Sequence, residues 1–264
     1  MKNIKIFGCP FDAASSYRSG SRSGPDAIRK ATKDIEDYSP YLDCEFSDVS
    51  FSDCGNLKLP EDSRGMLRKI ENKTKEILKS GDIPFALGGD HSVTTPVVRA
   101  VHGKHPDLKV IYIDGHCDLR DSYLGSKFSH ASVARRILEM VGSDSIFHFG
   151  VRSGSREEFV LGRKEGIFKK FCRADFSEAV RKIGKSPVYI TFDLDVFNPG
   201  IFGGTCVPEP GGIEFQDFVV FAKTFQKRLN IAGLDVVELS PKWDRSDASS
   251  FLAATVVREL LFII

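Results

Sequence analysis

Three short stretches carry side chains whose types and spacing suit metal or acid–base chemistry. Residues 114–118 read Asp114-Gly-His116-Cys-Asp118, residues 193–195 read Asp193-Leu-Asp195, and residues 88–94 read GGDHSVT, with Asp90 and His91 inside it. In an extended chain alternate side chains share one side. The first stretch then presents Asp114, His116 and Asp118 together, and the second presents Asp193 and Asp195 together. Like-facing polar groups beside a core are costly unless paired or metallated. Two close carboxylates raise each other's pKa until a cation neutralises them. Each stretch alone also has a plainer reading. Residues 114–118 could be an Asp–His–Asp hydrogen-bond cluster, residues 193–195 one capping and one solvated aspartate, and His91 a satisfied loop histidine. The two glycines before Asp90 permit a tight turn or the close approach of a ligand, and Ser92 is placed to cap a following helix.

Taken together, Asp114, Asp118, Asp193 and Asp195 with His91 and His116 supply four aspartates and two histidines. A structural zinc site would use cysteine and close with four ligands. A mostly oxygen set with some imidazole suits two harder divalent ions, Mn²⁺ best. Two such ions ~3.5–4 Å apart make a bridging hydroxide available near neutral pH, and hydrolysis is its natural use. Cys117 falls on the opposite side of an extended segment and is not taken as a ligand.

The elements that must position these groups are legible as apolar runs. Residues 4–7, 85–87, 110–113, 146–151, 188–192 and 234–239 read as strands. Helical patterns lie between them at 25–31, 66–79, 93–101, 130–141, 215–226 and 249–262. Continuous apolar strands alternating with helices argue an α/β fold with a mainly parallel sheet covered on both faces. In such sheets ligands sit beyond the carboxyl ends of the strands, where all three stretches fall. No repeat, low-complexity tract or linker divides the chain, so residues 1–264 are read as a single domain. The polar stretch 47–64 reads as a surface excursion.

Composition narrows the class. The chain has 264 residues, 41% hydrophobic, with 37 Lys+Arg against 36 Asp+Glu. That is enough for a full core. The balanced charge points to neither nucleic acid nor an anionic membrane as partner. The N-terminal apolar run is too short for a signal peptide. The C-terminal run is interrupted by Arg258 and Glu259 and reads as an amphipathic helix rather than a span. The expected location is the cytoplasm. Six cysteines without CxxC spacing are expected to be reduced there.

GGDHSVT, DGHCD, TFDLDVFNP, VPEPGG (207–212) and DVVELSP (235–241) resemble, in order, the signature segments of the ureohydrolases, the arginases, agmatinases and their relatives. The likeness runs from PFD at 10–12 to the C-terminus, and the segment 118–139 looks most like compact bacterial and archaeal agmatinases. The resemblance implies a three-layer α/β/α fold and two Mn²⁺ ions. One would take His91, Asp114, Asp118 and Asp193, and the other His116, Asp114, Asp193 and Asp195. It implies Glu209 as the carboxylate that holds the substrate guanidinium, His130 as the proton donor to the leaving amine, and a trimer or hexamer. The expected reaction cleaves agmatine to putrescine and urea. The other substrates weighed are guanidinobutyrate, arginine, aminopropyl-agmatine and formimino-glutamate, and a metal-binding oligomeric scaffold is the reading outside catalysis. Asp121 is the expected partner of a distal ammonium, whereas Arg120 would suit a carboxylated tail. Three departures stand out: Gly115 where Ala is usual, Asn198 where Asp is usual, and Val207 where Thr is common.

Overall fold

The apolar runs become the middle of one sheet. The computed structural model describes residues 3–264. In chain order the strands are β1 (Ile4–Cys9), β2 (Tyr38–Ser39), β3 (Cys44–Glu45), β4 (Phe51–Asn56), β5 (Ile83–Gly88), β6 (Lys109–Ile113), β7 (Ile146–Phe149), β8 (Phe168–Lys169), β9 (Pro187–Asp193) and β10 (Asn230–Val237). Eight of them form a sheet in the order β4-β1-β5-β10-β9-β6-β7-β8. Every neighbouring pair in it is parallel. β2 and β3 form a separate antiparallel pair.

The helices are α1 (Gly24–Thr32), α2 (Ser63–Lys79), α3 (Thr94–Lys104), α4 (Val133–Val141), α5 (Arg156–Lys164), α6 (Arg173–Ile183), α7 (Phe215–Phe225) and α8 (Ala248–Phe262). They cover both faces, because strand side chains alternate between two cores. Ile111 and Ile113 of β6 join Ile190, Phe192, Phe218, Phe221 and Leu260 on the side of α1, α6, α7 and α8. Val110 and Tyr112 join Met66, Val97, Val133 and Ile137 on the side of α2, α3 and α4. Full burial of one such side chain contributes about 1.5–3 kcal/mol. The first core is rich in phenylalanine packed edge to face: Phe176 on Phe221 at 5.5 Å and 84°, and Phe192 on Phe218 at 5.4 Å and 85°.

Some elements differ from the sequence reading. The excursion 47–64 contains the edge strand β4, paired with β1. Its side chains are mostly exposed, so no apolar run marks it. α5, β8 and α6 were not read at all. The helical pattern at 130–141 opens with a 3-10 turn, His130–Ser132, before α4 begins. Among the described residues no helix is long and apolar enough to cross a membrane, and all six cysteines are free thiols.

Parallel order brings the carboxyl ends of β1, β5, β10, β9, β6 and β7 to one edge. That edge carries every residue of the site described next.

Candidate active site

The strand tips do not stay extended. β6 stops at Ile113, and the Asp114 side chain turns back to accept the His116 N–H at 2.6 Å. Asp118 then takes a left-handed backbone, φ 49°. The convergence of Asp114, His116 and Asp118 therefore comes from an Asx turn and a left-handed residue, not from strand alternation. At the end of β9, Asp193 caps the 3-10 turn Leu194–Val196 by accepting the Asp195 N–H at 2.8 Å. The capping role and a metal-facing role coexist in one side chain. Beyond β5 the cap is Asp90 rather than Ser92: its carboxylate accepts the Ser92 N–H at 3.0 Å. A Cβ on Gly89 would overlap the Phe11 carbonyl, so the close approach there is by the tail of β1 and not by a ligand.

Two donor sets result, sharing Asp114: His91, Asp114 and Asp193; and Asp114, His116 and Asp195. His91 Nδ1 lies 3.2, 3.3 and 3.0 Å from carboxylate oxygens of Asp114, Asp118 and Asp193. His116 Nδ1 lies 2.8 Å from Asp195 and 3.6 Å from Asp114. All six side chains are buried or nearly so.

The back of His91 fixes which nitrogen faces the cluster. Thr191 donates its hydroxyl proton to Asp235 at 2.6 Å, and Tyr189 donates to the other oxygen of the same carboxylate. The Thr191 oxygen must then accept from His91 Nε2, 3.0 Å away. This leaves the Nδ1 lone pair aimed at three carboxylates, an arrangement that needs a positive charge between them. In the protein alone, protons fill that need. Burial would depress the His91 pKa, yet the three carboxylates hold it well above 6.5. Burial, then the Asp195 and Asp114 charges, push Asp193 well above the usual carboxylate range. Asp114 Oδ2 and His116 Nε2 are buried with no hydrogen-bond partner. A carboxyl pushed upward by its neighbours, a raised imidazole and an orphaned Asp114 oxygen in one cluster fit cations in place of protons.

The clusters form the floor of a cleft of about 300 Å³, lined further by Ser16, Arg120, Tyr123, His130, Glu209 and Glu238. Glu238 follows β10 and was not singled out in the sequence. It is 6% exposed, has φ 68°, and accepts the His91 N–H at 2.7 Å. Burial, then the Asp90 charge, hold its pKa well above 4.5. Glu209 is nearer the rim, its side chain 29% exposed. It accepts from Ser153 at 2.8 Å and lies 3.5 Å from His116 Nε2. His130 Nδ1 is 2.6 Å from the Ala14 carbonyl, so Nδ1 carries a proton, and Nε2 lies 3.3 Å from Ser16 Oγ.

Asp121 does not line the cleft. Arg136, fifteen residues on, holds it at 2.8 Å, with Lys127 at 3.5 Å. Its carboxylate is thus paired within the protein in this structure rather than presented to the cleft. Arg120 does line the cleft, 3.4 Å from Glu158 and stacked over Tyr123 at 4.9 Å. Cys117 belongs to neither donor set, and burial, then Glu158, raise its pKa.

Arg152 is a further residue that the sequence reading passed over. Its guanidinium donates to the carbonyls of Asp195 at 2.7 Å, Val196 at 3.1 Å, Pro210 at 3.1 Å and Glu209 at 3.2 Å. It thereby ties the loop carrying Glu209 to the tip of β9. Asn198 braces the same loop, accepting from Gly200 N at 2.9 Å and donating to Glu214 at 2.8 Å.

Comparison with known proteins agrees with this arrangement. The model of the Arginase family matches residues 2–263. The chain is 38% identical over 264 residues to an agmatinase of Bacillus anthracis, covering 98% of this chain and 90% of that one. It is 31% identical to a guanidinobutyrase of Pseudomonas aeruginosa, covering 97% of this chain and 85% of that one. The crystal structure of an agmatine ureohydrolase of Thermoplasma volcanium superimposes with a TM-score of 0.85 at 32% identity, covering 99% and 89% of the two chains. A whole-chain match of this kind, on a sheet whose acid-tipped strands meet in one cleft, means that the protein belongs to the arginase family of ureohydrolase enzymes.

Proposed function

We propose that this ureohydrolase is an agmatinase, cleaving the guanidinium of agmatine to urea and putrescine with two Mn²⁺ ions. The observation that carries the reading is the pair of buried donor sets sharing Asp114 on the floor of the cleft. One ion would be held by His91, Asp114, Asp118 and Asp193, and the other by His116, Asp114, Asp193 and Asp195. The orphaned Asp114 Oδ2 supports this, as does a mixture of carboxylate and imidazole that suits Mn²⁺. When bound, such a pair of ions supplies a water activated for attack near neutral pH.

The chain's own groups do the rest. A guanidinium stays charged at any working pH, so it needs a carboxylate that has lost its water. Glu238 is buried beside the donor sets, and the cationic substrate offsets the burial that raises its pKa. Glu209 is the carboxylate the family resemblance implies for this task, and it faces the same cleft nearer the rim. His130 has its Nδ1 proton committed to Ala14. Its Nε2 is therefore the nitrogen that carries a proton to the leaving amine.

The agmatine tail is supported by likeness to relatives named for that substrate. Arg120 on the cleft wall favours a second reading, a guanidino compound with a carboxylate tail, and one relative is named a guanidinobutyrase. The deciding experiment is urea release by Mn²⁺-loaded protein from agmatine, arginine and guanidinobutyrate side by side. Agmatine is expected to give the highest kcat/KM. Preference for guanidinobutyrate would assign the tail to Arg120, and no urea from any guanidino compound would overturn the reading.

A further inference from the structure

The loop between Asp12 and Gly20 does more than connect β1 to α1. Its base is closed by the buried Asp12 carboxylate, which accepts from Gly20 N at 2.9 Å and from Arg22 Nε at 2.6 Å. Its middle is clamped at Ala14 from both sides. The Ala14 N–H donates to the buried Asp90 carboxylate at 3.0 Å, and the Ala14 carbonyl accepts from His130 Nδ1 at 2.6 Å. Two residues on, the Ser16 hydroxyl is 3.3 Å from His130 Nε2. Ser16 is solvent-exposed and also lines the cleft.

A carbonyl only accepts, so Ala14 settles the neutral tautomer of His130: the proton sits on Nδ1 and Nε2 is bare. Nε2 is then the only ring nitrogen that exchanges protons, and Ser16 is the hydroxyl on it. The Tyr123 ring stands edge-on to the imidazole at 5.8 Å and 88° and covers another side. We propose that Ser16 relays protons between solvent and His130, and that Asp90, acting through Ala14, is the positioning residue that holds the imidazole in the form this relay requires. The inference rests on the reading of His130 as proton donor to the leaving amine.

The proton account closes. His130 gives its Nε2 proton to the departing nitrogen as the carbon–nitrogen bond breaks. Nε2 then takes the Ser16 hydroxyl proton while Ser16 Oγ takes one from solvent. The attacking water releases both its protons to solvent, one is made good through Ser16 and His130, and the freed amine takes the other from solvent, so guanidinium plus water gives urea plus an alkylammonium with no net proton change.

The test compares S16A, S16T and H130A in the full-length, Mn²⁺-loaded enzyme with whichever guanidino substrate it turns over. For S16A, kcat should fall about tenfold with KM unchanged, a fraction of the 10²–10⁴ typical of general acid catalysis. Added imidazole should restore it, and S16T should keep wild-type turnover. A second readout is the nitrogen-15 shift of the neutral His130 ring, expected to report a protonated Nδ1. Unchanged kcat in S16A, a loss that neither imidazole nor threonine repairs, or a ring protonated on Nε2 would overturn the relay. Full turnover by H130A would instead remove the donor role on which it rests.

Discussion

Glu238 and Glu209 divide the cleft by depth. Glu238 is 6% exposed and adjoins His91, whereas the Glu209 side chain is 29% exposed and adjoins Ser153. A carboxylate that meets a cation out of water loses about 2–5 kcal/mol of binding when its charge is removed, while a wet pair at a rim contributes about 0–1 kcal/mol. E238Q should therefore lower kcat/KM about 30-fold or more, and E209Q less than about tenfold, at ~1.4 kcal/mol per tenfold. Glutamine keeps an oxygen for the His91 N–H, so E238Q should melt within a few degrees of wild type. Steady-state kinetics with a thermal melt as control checks this. The reverse order of effects would give the guanidinium to Glu209, as the family resemblance implies.

Arg152 shows how an element, rather than a residue, builds the site. Its fork gathers carbonyls from the tip of β9 and from the loop at 209–210. Room for that fork exists because residue 115 is glycine. A Cβ there would lie 2.8 Å from Arg152 Nη1 and 3.1 Å from Asp195 Oδ1. Arg152 is fixed by several carbonyls and has little freedom to swing away. G115A should therefore cost about 1–3 kcal/mol, as overpacking does, and should loosen the loop that carries Glu209. Urea denaturation is the check. A variant as stable as wild type would mean that the guanidinium yields freely. The same elements show what the sequence could reveal. Strands β5, β6 and β9 were legible because each is an apolar run with an acid at or just beyond its end, and that pattern singled out the candidate ligands. β4 was not, since an exposed edge strand has no apolar face to betray it. Glu238 was not, since DVVELSP reads as the end of a strand until a left-handed φ of 68° turns the side chain into the cleft. The pairing of Asp121 was not legible, because its partner Arg136 lies a turn down α4, out of sight of local spacing. The Asx turn at Asp114 gathers the same three side chains that strand alternation would, so their grouping was legible although the backbone that produces it was not.

At the scale of the molecule, one buried histidine makes folding sensitive to acid. His148 lies in β7, fully buried between the rings of Tyr112 at 4.4 Å and Phe168 at 5.5 Å, and neither of its nitrogens has a hydrogen-bond partner. Burial pushes its pKa down from 6.5 to about 4, against the pull of Asp114 and Asp118. Cations bound to those two aspartates would weaken that pull, so occupancy of the site leaves the direction unchanged. Between these two pH values the unfolded chain binds the proton and the folded chain refuses it. The stability that goes with neutral His148 is thus complete above pH 6.5 and is lost as pH falls to about 4. At ~1.4 kcal/mol per pKa unit the loss is about 3 kcal/mol. Other buried groups with raised pKa values, Asp193 and Glu238 among them, add their own pH dependence. The informative quantity is therefore the difference between wild type and H148F, which keeps an aromatic ring in the slot. H148F carries some constant packing cost at every pH. Across the window, wild-type stability in urea should fall by about 3 kcal/mol more than that of the variant. Parallel curves would mean that water or a neighbour relieves His148 in the folded protein, and that the ring is not held neutral by burial.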